Sequence, residues 1–181
     1  MLGECGLRGG YMELTNFHED TLDQVYKAMS VSLCSNLPGQ VMTSLMVRPP
    51  REGDESYPLF SEEQNGIFES LKRRASKLVD ALNSMDGVSC NACEGAMYAF
   101  PKIDLPAGAI AAAEEKGLSP DTLYSLELLD ATGICVVPGS GFGQEEGTNH
   151  LRTTFLPPEN KMDEVIDRMA VFHKQFMEQY K

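Results

Sequence analysis

Apolar residues recur along this chain mostly at helical spacing. Leu22, Val25, Tyr26, Met29 and Leu33 follow the i, i+3, i+4 rule and give one apolar face to a first helix. Asp20 or Thr21 is placed to cap it, and Pro38-Gly39 breaks it. Val41, Met42, Leu45 and Met46 predict a short second helix, stopped by Pro49-Pro50. Ile67, Phe68, Leu71, Ala75, Leu78, Val79 and Leu82 predict a long third helix, opened by a capping box of Ser61 with Gln64. Pro106 to Lys116 predicts a fourth, ended by Gly117. Ser119-Pro120 then supplies an N-cap and a first-turn proline for a fifth, with Leu123, Leu126, Leu128 and Leu129. Met162, Val165, Ile166, Met169, Phe172 and Phe176 predict the last.

Shorter apolar runs lie between the helices. The stretch from Tyr11 to Asn16 reads as extended. Val88 to Asn91 and Ala96 to Phe100 read as two strands of a hairpin joined by a Gly-containing loop. Ile134 to Val137 and Leu151 to Leu156 read as buried strands. The alternation predicts an α/β sandwich with a small, largely antiparallel sheet. The methionine and aromatic stripes read as core packing. The stretch from Arg48 to Tyr57 is polar, with Pro, Gly and charges, and marks a boundary between residues 1–48 and a compact lobe of residues 49–181. No internal repeat is visible.

A length of 181 residues suits one ordinary domain of about 100–200 residues. The net charge of −12 argues against nucleic acid and against anionic membranes as partners. No apolar run reaches the length of a membrane-spanning helix. The five cysteines, Cys5, Cys34, Cys90, Cys93 and Cys135, do not form a disulfide framework. Cys90 and Cys93 have CxxC spacing, but a zinc site needs about four ligands. No second pair accompanies them, and His18, His150 and His173 are scattered. No metal site is expected.

The chemistry is concentrated in two runs. The first is Gly3-Glu4-Cys5-Gly6-Leu7-Arg8-Gly9-Gly10-Tyr11. The second is Thr132-Gly133-Ile134-Cys135-Val136-Val137-Pro138-Gly139-Ser140-Gly141-Phe142-Gly143, continuing to His150-Leu151-Arg152-Thr153-Thr154-Phe155-Leu156-Pro157-Pro158. Each sets one arginine beside permissive, glycine-rich backbone. A guanidinium fork matches carboxylate and phosphate oxygens, and glycine lets backbone N–H groups approach an anion. Two such sites suggest a ligand with two anionic ends. Gly139 to Gly143 is not a dinucleotide loop: Gln144 stands where a third glycine belongs, and Glu145 and Glu146 would repel phosphate.

With Pro38-Gly39-Gln40 and Gly95-Ala96-Met97-Tyr98-Ala99-Phe100-Pro101, these runs resemble the C-terminal part of the class I/II pyridoxal-phosphate-dependent aminotransferases of fold type I. The likeness is to the alanine aminotransferase family and covers nearly the whole chain. It implies the small C-terminal domain of a type I aminotransferase, residues 49–181, preceded by the end of the cofactor-binding large domain and an interdomain helix, residues 1–48. It implies pyridoxal 5'-phosphate as cofactor, with Arg8 on the cofactor phosphate. It places Arg152 on the substrate α-carboxylate as a bidentate pair. The loop carrying Gly141 and Phe142 would lie at the site's mouth, which makes both candidates for substrate contact. The family's Schiff-base lysine sits in a Ser-Lys-Gly segment just before the first run, upstream of Met1. Lys27, Lys72, Lys77, Lys102, Lys116, Lys161, Lys174 and Lys181 have other settings. The isolated chain is therefore expected to be inactive. The resemblance implies exchange of an amino group between L-alanine and 2-oxoglutarate, forming pyruvate and L-glutamate. Glutamate–glyoxylate or another amino-acid exchange is the alternative, as is a non-catalytic fragment. Small amino acids and 2-oxo acids are the implied partners, in a soluble cytoplasmic or mitochondrial homodimer.

Overall fold

The computed structural model describes residues 6–181. They form two units, the first ending at Asn65 and the second running from Gly66 to Lys181. Gly3, Glu4 and Cys5 of the first glycine-rich run lie outside the described residues.

In the first unit, helix α1 (Glu19–Met29) is capped by His18, whose Nδ1 accepts the Asp20 N–H at 3.3 Å. Asp20 is thus inside the helix, where with Glu19 it complements the positive end of the macrodipole. The cap therefore lies two or three residues before the expected Asp20 or Thr21. The segment from Tyr11 to Asn16 forms no strand; Asn16 turns at φ 61. No residue of α1 is buried, and Tyr26, Met29 and Leu33 are exposed. Helix α2 (Leu37–Val47) has Pro38 in its first turn and is capped by Asn36, whose Oδ1 accepts the Gly39 N–H at 3.2 Å. The prolines after Arg48 cannot continue it.

Helix α3 (Tyr57–Asn83) begins four residues before Ser61. A turn in which Arg51 N–H bonds the Asp54 carboxylate at 2.8 Å leads into it, and Pro58 is tolerated in a first turn. Ser61 instead accepts a bond from the Asn65 side chain at 3.3 Å.

The core of the second unit lies between α3, α5 (Pro120–Thr132) and α6 (Met162–Gln179). Leu78, Leu82, Leu128, Met162 and Phe176 are all but sealed from solvent. Tyr124 meets Phe172 and Phe176 edge-on at 5.2 and 4.9 Å. Buried His173 is satisfied on both ring nitrogens, by the Tyr124 hydroxyl at 3.0 Å and the Asp86 carbonyl at 2.7 Å. Helix α4 (Ala107–Glu115) ends at Gly117, whose φ of 66 is the left-handed conformation its position requires.

The strands are short. β1 (Val88–Ser89) pairs antiparallel with β3 (Lys102–Ile103). β5 (Leu151–Thr154) is the middle strand of a second antiparallel sheet, between β2 (Tyr98–Ala99) and β4 (Val137–Pro138). The fold is therefore the predicted α/β arrangement of helices on small antiparallel sheets. The expected hairpin between 88–91 and 96–100 does not form. Asn83 occupies both backbone groups of Cys90, accepting its N–H at 2.8 Å and donating to its carbonyl at 3.0 Å. That side-chain bridge ends β1, and the chain after it turns away to pair β2 with β5.

Candidate functional site

Arg152 is placed by the two-residue period of β5. Leu151 and Thr153 are buried, while Arg152 and Thr154 face the other way and are half-buried. The Arg152 guanidinium carbon lies 4.7 Å from the Tyr98 ring centre and 4.8 Å from that of Phe142. Tyr98 comes from β2, directly beside β5. Phe142 comes from a single 3-10 turn, Gly139–Phe142, that follows β4 and is closed by Gly143 at φ 69. Behind Phe142, Phe100 meets it edge-on at 5.9 Å and lies flat on His150 at 4.9 Å with a 6° interplanar angle. Among the described residues, Arg152 makes no ion pair. A guanidinium held by ring faces, each contact worth roughly 0.5–2 kcal/mol, keeps its in-plane N–H groups for an incoming anion.

The turn carrying Phe142 is tied to the start of α5. The Asp121 carboxylate, 3% exposed, accepts the Ser140 N–H at 2.6 Å and the Gln144 amide at 3.0 Å. Its other oxygen accepts the Thr122 N–H at 2.9 Å. Burial pushes this carboxyl upward, but bonds from Ser119, Ser140 and Gln144 outweigh it and hold it below the usual range. Gly141 is exposed, with open space where a side chain would begin. The structure brings Arg152 and Phe142 together; it gives Gly141 no contact beyond its place in the same turn.

Arg8 belongs to the first unit and is exposed. Its backbone presses on the first turn of α2. A Cβ on Gly9 would strike the Gly39 carbonyl, and a Cβ on Gly39 would strike the Arg8 carbonyl. The two glycines thus permit a close approach that fixes the Arg8 backbone. Among the described residues, Arg8 has no ion-pair partner. An exposed guanidinium on a fixed backbone suits a phosphate oxygen set.

The rest of the chain offers less. Cys90 and Cys93 are free thiols that burial pushes upward, away from reactive thiolate character. Among the described residues, no three His, Cys, Asp or Glu side chains gather as a metal site, and no helix is long and apolar enough to cross a membrane. Sequence reasoning missed Tyr98 and Asp121. Tyr98 lay within the quoted Gly95–Pro101 run, whereas an acid in a helix's first turn carries no distinguishing signal.

No protein-family model matches the chain. It is 54% identical over 180 residues to a probable mitochondrial alanine aminotransferase of Dictyostelium discoideum, covering 99% of this chain and 34% of that protein. It is 52% identical over 178 residues to glutamate–glyoxylate aminotransferase 1 of Arabidopsis thaliana, covering 98% of this chain and 37% of that protein. Its fold aligns with an alanine aminotransferase from Pyrococcus furiosus at a TM-score of 0.63 and 28% identity, over 87% of this chain and 36% of that one. The chain thus spans about a third of the length of the curated relatives it matches.

The α/β scaffold and these relatives place the chain among the fold-type I pyridoxal-phosphate-dependent aminotransferases. Within that class it is closely related to alanine aminotransferase and matches the C-terminal 35% or so of the full-length proteins.

Proposed function

We propose that this chain supplies the substrate-carboxylate half of an aminotransferase site that exchanges an amino group between L-alanine and 2-oxoglutarate. The observation that carries the reading is Arg152, ringed by Tyr98 and Phe142 and without an acidic partner among the described residues. Every amino acid and oxo acid in such an exchange shares one α-carboxylate. A bidentate guanidinium binds it and fixes the reacting carbon in place. Phe142 covers one face of the guanidinium, and Gly141 in the same turn would lie beside an arriving substrate. Arg8 would hold the phosphate of pyridoxal 5'-phosphate, which when bound supplies an electron sink for the amino group's carbon. None of the eight lysines lies in a Ser-Lys-Gly setting, so the chain by itself is proposed to be inactive. We assign residues 1–48 to the edge of a large domain and residues 49–181 to the small one. The whole protein is a homodimer acting on small amino acids and 2-oxo acids, in the cytoplasm or the mitochondrion.

The test uses a full-length protein carrying this chain. Arg152→Ala is expected to raise KM for both substrates and to lower kcat/KM about a hundredfold or more. Arg152→Lys keeps the charge without the fork and is already impaired. Arg8→Ala loses cofactor first. Near-wild-type KM in Arg152→Ala, or cofactor loss as its main defect, rejects the assignment. Likeness to a glutamate–glyoxylate aminotransferase supports glyoxylate as the competing acceptor. Comparing kcat/KM for 2-oxoglutarate and glyoxylate decides between them.

A further inference from the structure

Asp121 lies at the head of a continuous path of contacts that ends on Arg152. Its Oδ2 accepts the Ser140 N–H and the Gln144 amide. The Gln144 carbonyl oxygen in turn accepts from His150 Nδ1 at 3.0 Å. The His150 ring lies flat on Phe100, Phe100 meets Phe142 edge-on, and Phe142 faces the Arg152 guanidinium. Gly139 is packed into the middle of this path: its N–H bonds the His150 carbonyl at 2.7 Å, and a Cβ there would strike the Gln144 side chain and crowd His150 Cβ at 2.7 Å.

We propose that Asp121 is a positioning residue which, through Ser140 and Gln144, holds Phe142 against Arg152 and so sets the direction of the fork offered to a substrate carboxylate. The proposal rests on the assignment of Arg152 to that carboxylate. The chemistry favours aspartate over its amide. Both oxygens of Asp121 accept N–H groups, three in all. Asparagine has one acceptor oxygen, so either orientation of its amide turns a donor against a donor. The carboxylate is buried and bonded on both oxygens, which makes the tie stiff rather than adaptable. Orientation matters because a small misplacement of a binding group costs rate even when the charge is kept.

The test has two arms. In the full-length enzyme, Asp121→Asn is expected to raise KM for amino acid and oxo acid about tenfold while kcat changes far less. In a Phe142→Ala background the same change should add no more than about twofold, because a group acting through Phe142 loses its route. A merely structural carboxylate would multiply with Phe142→Ala instead. In the second arm, the Arg152 Nε–Hε resonance of the chain is assigned by its loss in Arg152→Lys. Ring currents from Tyr98 and Phe142 should displace it, and Asp121→Asn or Gly139→Ala should return it toward the free-arginine position. KM within twofold of wild type in Asp121→Asn, multiplicative effects, or an unmoved resonance overturns the proposal. An unchanged KM in Arg152→Ala would instead sink the carboxylate assignment, while the resonance would still report whether Asp121 holds Phe142 in place.

Discussion

Glu159, on the surface turn before α6, is gripped by Arg73, with Nε on one oxygen at 2.7 Å and Nη2 on the other at 3.0 Å. Ser70 adds a third bond at 2.9 Å. These bonds, Arg73 foremost, pull its pKa from an ordinary 4.5 to about 2. A depressed folded value means the pair's contribution to stability is whole above 4.5 and disappears as pH falls toward 2. Carboxyl NMR titration should place the Glu159 midpoint near 2, and Arg73→Ala should return it toward 4.5. Asp121 follows the same sign from a buried position, so the ties to Ser140 and Gln144 should loosen only under acid. Tyr124 goes the opposite way: burial pushes its hydroxyl upward, leaving it a neutral partner for His173. Arg8 and Arg152 could be singled out from sequence because glycine-rich runs flank them. The rings that face Arg152 could not be chosen from among many aromatics without the pairing of β2 with β5.

At the level of elements, the six helices were legible because a 3.6-residue period survives small errors at its ends. Their starts were less so. The first cap fell to His18, and α3 began at Tyr57, because a turn and a tolerated proline carried the helix back past Ser61. The strands are two to four residues long, too short for a period, and their partners are chosen by side chains such as Asn83. Two helical glycines give opposite expectations. Gly66 in α3 has open space at its Cβ position, so Gly66→Ala should stabilise the chain by roughly 0.5–1 kcal/mol. Gly108 in α4 lies against the Tyr180 carbonyl, with the carbonyl carbon 3.1 Å from the same position. Gly108→Ala should therefore destabilise by about 1 kcal/mol or more despite its better propensity. Urea unfolding of both variants checks the pair, and a gain in Gly108→Ala would show that α6's end yields freely.

For the whole molecule, the two units differ in what they bury. The core belongs to the second, while α1 buries nothing and presents Tyr26 at 80% exposure. Arg51 is exposed in the loop before α3 and, unlike Arg48, is not followed by proline, so trypsin should cut there and leave a resistant piece running to Lys181. Equal protection of residues 6–48 would show that they fold with the core and would defeat the proposed boundary. The four-residue strand β5 has a consequence for inheritance. It is bonded on both edges, and its side chains alternate between the core and the open face. Codons gained or lost at the exposed tip Glu145–Gly147 change only the size of a bend. One codon inserted between His150 and Arg152 shifts parity, turning a guanidinium toward the oily interior and a threonine toward the solvent. A change of length is thus expected to be harmless at the tip and damaging three residues later, where it would reverse which side chains meet the core.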